Sequence, residues 1–140
     1  MKTIPVKSAK TRYKILIGKN ILPRTAAFLR GIAAPGSKVM VVSQKNISRY
    51  SNAVCLSLRE KGYAVFTHAL PDGERAKSEK EVFKLLHALL AKGFERKDSV
   101  VAVGGGVVSD LSGFAASVYL RGIRYVNIAT TLLAQVDSSV

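Results

Sequence analysis

Short apolar runs alternate along this chain with stretches whose apolar residues recur every three or four positions, and the two periods separate strands from helices. Residues 38–42, Lys38-Val39-Met40-Val41-Val42, follow Pro35-Gly36 and are almost wholly apolar, as a strand buried on both faces must be. Residues 99–103 repeat that pattern, and residues 11–17, 63–67 and 124–128 read as further strands. Between them, residues 20–30 carry Ile21, Ala26, Phe28 and Leu29 at helical spacing, and residues 47–61 form a helix closed by Gly62. Residues 78–92 give the clearest helix. Ser78 and Glu81 have the spacing of a capping box, Val82, Phe83, Leu85, Leu86, Leu89 and Leu90 form an apolar stripe, and Gly93 ends it. Residues 110–118 complete the set, with Asp110 placed to cap that helix.

Alternating strands and helices with near-continuous apolar strands predict an α/β fold. It is an open, mostly parallel, Rossmann-like sheet with helices on both faces, and residues 1–140 form one domain of it. The unusual residues then fall in one place. Ser43-Gln44-Lys45-Asn46, Pro71-Asp72-Gly73-Glu74, Gly104-Gly105-Gly106 and Thr130-Thr131 each stand at or close after the end of a predicted strand. Any one βα turn is polar for ordinary reasons. Four at the carboxyl edge of a single sheet, where open α/β proteins bind their ligands, predict a common site.

The glycine triplet carries the most chemistry. It follows a buried strand and precedes a helix, so glycines would permit positive φ and leave no Cβ in the way of a diphosphate. The helix N-terminus beyond would offer free N–H groups to the anion. The dinucleotide fingerprint is nonetheless incomplete, because Ser109 stands where its third glycine would fall. No acidic residue follows about twenty positions on, so a ribose carboxylate would have to come from another loop, where Asp72 or Glu74 is available.

Composition narrows the classes. Hydrophobic residues make up 48% of the chain and charged ones 22%, which describes a folded protein and not a disordered one. No apolar run is long enough to cross a bilayer. Lysines interrupt the N-terminal residues at once, so no signal peptide is expected and a cytoplasmic location is. Cys55 is the single cysteine and sits among apolar helix positions, which predicts a core residue. The formal net charge of +13 is uneven: twelve Lys or Arg precede the first acid, Glu60, and from Glu60 onward ten basic residues face nine acidic ones. The basic residues are scattered singly, without arginine clusters or interleaved aromatics, which disfavours nucleic acid and suits phosphorylated ligands. His68 and His87 have no metal-ligand spacing and read as structural or surface residues.

Three motifs in order make the pattern specific. Residues 104–116, opening Gly104-Gly105-Gly106-Val107-Val108-Ser109-Asp110, are followed by Tyr119-Leu120-Arg121-Gly122 and by residues 130–140, which include Thr130-Thr131 and Asp137-Ser138. Together with Pro71-Asp72-Gly73-Glu74 and Lys77-Ser78, this series resembles the 3-dehydroquinate synthases along nearly the whole chain.

The resemblance implies the NAD-binding part of a cytoplasmic enzyme about twice this length. Such an enzyme turns a sugar phosphate, DAHP, into 3-dehydroquinate and phosphate in the shikimate pathway. Bound NAD oxidises a hydroxyl, which acidifies the neighbouring C–H, eases loss of phosphate and is then reversed before ring closure. The resemblance further implies a homodimer and a divalent metal, zinc or cobalt. The metal ligands and most substrate-binding basic residues would lie beyond Val140, leaving these 140 residues inactive alone and without a metal.

Residue by residue, the resemblance implies that Gly105, Gly106, Val107, Val108, Ser109 and Asp110 form the pyrophosphate and nicotinamide loop. Asp72, Gly73, Glu74, Arg75, Ala76 and Lys77 form the adenosine-ribose loop with Asn46, and Thr130, Thr131 and Leu133 line the cofactor. Asp137 is implied as a catalytic carboxylate beside the substrate hydroxyls, and Arg121 as the arginine for substrate phosphate, across a dimer interface. Ser109 replaces the family's usual glycine, which would tighten the loop if φ there were positive, and Gln44 replaces an aspartate on the adenine ribose. Other sugar-phosphate cyclases, metal-dependent alcohol or polyol dehydrogenases, and a non-catalytic nucleotide-binding module are the alternatives.

Overall fold

The computed structural model describes residues 1–7, 9 and 11–140. A four-stranded sheet forms its centre, made of β3 (Lys38–Gln44), β4 (Ala64–Leu70), β5 (Ser99–Gly104) and β6 (Arg124–Ala129), in the order β4-β3-β5-β6. All three pairings are parallel. Within β3, Val39 and Val41 enter one core while Met40 and Val42 enter the other, the period-two alternation of a strand covered on both faces. Helices α1 (Thr25–Leu29) and α2 (Ser48–Glu60) cover the first face, and α3 (Glu79–Ala91) and α4 (Gly106–Val118) the second. A short α5 (Leu132–Val136) follows β6. The predicted fold class is therefore the observed one, and Cys55 is buried as expected, with burial pushing its thiol pKa up.

The remaining strands differ from the sequence reading. β2 (Arg12–Ile17) does not join the parallel sheet. It pairs antiparallel with β1 (Lys2–Lys7), a strand the apolar pattern missed because only Ile4 and Val6 alternate with exposed residues there. The stretch 20–30 is not one helix: Pro23 sits in a 3₁₀ turn, Leu22–Arg24, and α1 is only the five residues after it.

The helix ends explain how the chain re-enters the sheet. At the end of α3 the Phe94 N–H donates to the Leu89 carbonyl and the Gly93 N–H to the Leu90 carbonyl, while Lys38 Nζ donates to the carbonyls of Lys92 and Gly93. The end of α2 repeats the first two bonds through Tyr63 and Gly62. Buried Asp98 accepts from the N–H groups of Lys38 and Glu95 at 2.8 and 2.7 Å and so pins the starts of β3 and β5 together.

Two features of α3 depart from the sequence reading. Ser78 does cap the helix, accepting from the Glu81 N–H at 3.4 Å. Glu81 does not reach back, because its carboxylate is held by Lys84 at 2.6 Å and the Ser78 N–H already donates to Ala76. The apolar stripe is also narrower than its sequence: Leu85 and Leu89 are fully buried, whereas Phe83 and Leu90 stay exposed.

Candidate cofactor site

Because β4 lies on one side of β3 and β5 on the other, the strand order reverses between β3 and β5, and a crevice opens beyond their carboxyl ends. The four polar loops picked out in the sequence all sit at this edge, following β3, β4, β5 and β6. Gln44 donates to the Pro71 carbonyl at 2.9 Å and lies 3.5 Å from that of Gly73, and the Asn46 N–H points at Asp72 Oδ1, 3.5 Å away. The loops after β3 and β4 are thus tied to each other. Gln44 works as a clamp on the neighbouring backbone, which an aspartate there could not do, since it has no donor.

The glycine triplet works differently from the sequence expectation. None of Gly104, Gly105 and Gly106 has positive φ. Their lack of side chain matters for close approach: a Cβ on Gly104 would lie 2.5 Å from Val108 Cγ2, and one on Gly105 would lie 3.3 Å from Thr131 Cγ2. Helix α4 begins at Gly106, four residues earlier than its sequence pattern suggests, so Asp110 is not its cap. Val107 and Val108 are β-branched and apolar, and they hid the first turn. Ser109 is helical and buried, with no positive φ, so it does not tighten the loop; its hydroxyl reaches Asn127 Oδ1 at 2.9 Å.

Helices α3 and α5 are capped by Ser78 and Thr131, whereas α4, like α1 and α2, has no side-chain cap. Its first-turn N–H groups are left for an external acceptor, at the positive end of a 13-residue helix. Two buried hydroxyls flank that end without a partner, Thr130 Oγ1 and Ser138 Oγ. Thr130 is held there by its N–H bond to the Gly104 carbonyl at 2.9 Å, and Ser138 Oγ lies 4.0 Å from where a Cβ on Gly106 would be. Orphaned hydroxyls and an uncapped helix end fit a phosphate-bearing cofactor.

A cleft of about 420 Å³ lies in front of this end, lined by Glu74, Lys77, Gly106, Val107, Asp110, Leu133, Ala134, Asp137 and Ser138. Lys77 Nζ stands 2.8 Å from Asp110 Oδ2, and that carboxylate raises the lysine pKa. A second hollow of about 450 Å³, beyond β4, is lined by Lys45, His68, Ala69, Leu70, Pro71, Asp72, Glu81 and Lys84. Asn46, Asp72, Gly73 and Arg75 are exposed on the loops that follow β3 and β4, and Ala76 is buried. Val108 and Ser109 face the interior, and Thr131 is taken up as the cap of α5.

Arg121 is not brought to this site. Helix α4 runs back from the crevice for about 20 Å, and Arg121 follows its far end, just before β6 begins at Arg124. It is exposed at the opposite edge of the sheet, in a turn where Leu120, Arg121 and Gly122 all have positive φ. His68 ends near the second hollow and His87 lies on the exposed face of α3. Among the described residues no group of three His, Cys, Asp or Glu side chains could hold a metal ion, and no helix is long and apolar enough to cross a membrane. The donor set thus fits a nucleotide and does not fit a metal. The sequence reading missed Asn127, although it is the single polar residue in the run Tyr125-Val126-Asn127-Ile128.

Residues 67–140 match the family described as 3-dehydroquinate synthase N-terminal. The chain is 40% identical over 138 residues to the 3-dehydroquinate synthase of Microcystis aeruginosa, covering 98% of this chain and 37% of that protein. It therefore spans little more than a third of that relative. Among solved structures, a 2-deoxy-scyllo-inosose synthase superposes with a TM-score of 0.87 at 24% identity, over 98% of this chain and 38% of that one, a likeness of fold. The 2-epi-5-epi-valiolone synthase of Streptomyces hygroscopicus subsp. jinggangensis, solved with NAD+ and Zn2+ bound, superposes with a TM-score of 0.78 at 28% identity, over 95% and 37% of the two chains.

Proposed function

Since this chain belongs to the 3-dehydroquinate synthase family, we propose that it forms, as one domain, the NAD-binding part of an enzyme that converts DAHP to 3-dehydroquinate and phosphate. The observation that carries the cofactor assignment is the uncapped N-terminus of α4 between the orphaned hydroxyls of Thr130 and Ser138. In this reading the N–H groups of Gly106 and Val107 hold the pyrophosphate, and those hydroxyls donate to the same oxygens. Asp72 and Glu74 accept from the adenosine ribose, while Asn46, Gly73, Arg75 and Ala76 shape that loop. Lys77 keeps Asp110 neutralised, so the two line the cofactor without repelling it. Thr131 and Leu133 support its inner side, and Val108 and Ser109 back the loop from within.

Bound NAD supplies a reversible hydride acceptor. Asp137, exposed in the same cleft, accepts from substrate hydroxyls and orients the carbon to be oxidised. Arg121 lies at the far edge, so its guanidinium serves the phosphate of substrate held by a second copy; a homodimer and a cytoplasmic location belong to this proposal. The divalent metal, zinc or cobalt, would have to be held by residues other than the described ones.

Titration of the chain with NADH tests the cofactor assignment: saturable binding, weakened by Thr130→Val, supports it, and absence of binding overturns it. Phosphate release from DAHP by the enzyme that carries this domain tests the reaction. A different carbocycle from the same assay would assign another sugar-phosphate cyclase, and net NAD reduction a dehydrogenase.

A further inference from the structure

Asp137 owes its place to little apolar packing. It follows α5, where Leu132, Leu133 and Val136 are 76%, 72% and 68% exposed and Ala134 alone is buried. The described backbone bonds of residues 131–140 close within the segment: Gln135 N–H to Thr131, Ser139 N–H to Ala134, Val140 N–H to Asp137. Among the described residues, one polar tie leaves it for the sheet. Asn127 Nδ2, from β6, donates to the Ser138 carbonyl at 3.1 Å.

The other end of the same amide faces α4. Asn127 Oδ1 lies 2.9 Å from Ser109 Oγ, which also stands 3.1 Å from the Gly105 carbonyl. A carbonyl can only accept, so Ser138 fixes which end of the Asn127 amide carries the nitrogen, and the single Ser109 hydroxyl proton goes to the oxygen; the tie back to the glycine loop is the Ser109 N–H, which donates to the Gly105 carbonyl at 3.1 Å. Ser109 is itself 97% buried, and its carbonyl accepts from the Tyr125 O–H at 2.9 Å. A continuous polar strut therefore runs from the glycine loop through Ser109 and Asn127 to the residue after Asp137.

We propose that Asn127 is a positioning residue that acts through Asp137, holding its carboxylate in the cleft beside the N-terminus of α4, where it accepts from the nicotinamide amide while the helix end takes the pyrophosphate. This rests on the NAD reading above. A half-buried amide satisfied at both ends has one orientation, so the strut sets a distance that a flexible apolar contact would leave loose.

The test is a double-mutant cycle on NADH affinity in the 140-residue chain, with Asn127→Leu, Asp137→Ala and the double variant. Each single change should weaken NADH about tenfold, and the double variant should be no weaker than Asp137→Ala. Additive losses would make Asn127 merely structural and overturn the proposal. Hydrogen exchange of residues 131–140 is read in parallel: it should accelerate in Asn127→Leu while β3 and β5 stay protected, and unchanged exchange would also overturn the strut. Asn127→Asp and Ser109→Ala serve if Asn127→Leu does not fold; the aspartate keeps the acceptor for Ser109 but repels the Ser138 carbonyl, so it should be the more damaging of the two. If the unaltered chain binds no NADH the cofactor reading fails, and the exchange measurement still decides whether the strut exists.

Discussion

Lys77 and Asp110 come from different elements, one leading into α3 and the other on the second turn of α4, and they meet at 2.8 Å across the mouth of the cofactor cleft. Both side chains are about half exposed, so solvent screens the pair and its removal should hardly change the melting temperature. Its effect belongs to binding. Without Lys77 the Asp110 carboxylate faces a cofactor carrying two phosphates, so Lys77→Met should weaken NADH on the order of tenfold. The double change Lys77→Met with Asp110→Asn should recover part of that loss. NADH fluorescence titration at low and high salt checks both, and a Lys77→Met chain that binds as tightly as the unaltered one would refute it.

Gly104 and Gly105 should respond differently to alanine. A Cβ on Gly104 would sit 2.5 Å from Val108 Cγ2 in a fully buried setting, so Gly104→Ala should cost about 1–3 kcal/mol of stability by overpacking. Adding Val108→Ala should return part of it. On Gly105 the nearest atoms to the new methyl would be those of the Thr131 side chain, from 3.3 Å, which a small shift relieves. Gly105→Ala should therefore keep most of the stability and lose NADH affinity. Chemical denaturation set beside NADH titration separates the two behaviours.

The sequence carried the sheet because its strands are buried on both faces, and runs such as Val100-Val101-Ala102-Val103 leave no other reading. It carried the site because loops at one edge of a parallel sheet are gathered by topology alone. What it hid follows from local masking. Val107 and Val108 concealed the first turn of α4 and with it the reason the helix end is free. The hairpin of β1 and β2 is mostly exposed and so lacks an apolar signature. The role of Asn127 depends on Ser109, 18 residues away, at its oxygen, a contact that no local pattern around either residue encodes.

Ser78 is the N-cap of α3, but its bond to the Glu81 N–H is long at 3.4 Å and is not reciprocated. Ser78→Ala should thus cost about 0.5–1 kcal/mol, the low end for a cap. Urea denaturation of the 140-residue chain measures this. A loss well above that range would mean that Glu81 does close the box in solution.

His68 gives the stability a pH dependence of known sign. Burial lowers its pKa below the ordinary 6.5, with the Lys84 ammonium adding to this and the Glu81 carboxylate opposing it; Lys45 and Asp72 line the same hollow. Its Nε2 is buried without a partner, which the neutral ring tolerates far better than the charged one. The unfolded chain therefore takes up the proton first as pH falls. Just below pH 6.5 it binds more protons than the folded chain, so folding stability rises with pH through this window. The contribution is fully present above 6.5 and is lost progressively as pH falls through the lowered folded value. Urea midpoints measured from about pH 5 to pH 7.5 should fall at the acid end, and His68→Gln should flatten that fall relative to the unaltered chain. The comparison cancels the carboxylates that titrate in both. If the two curves run parallel, His68 is solvated in solution and the hollow beside it is open to water.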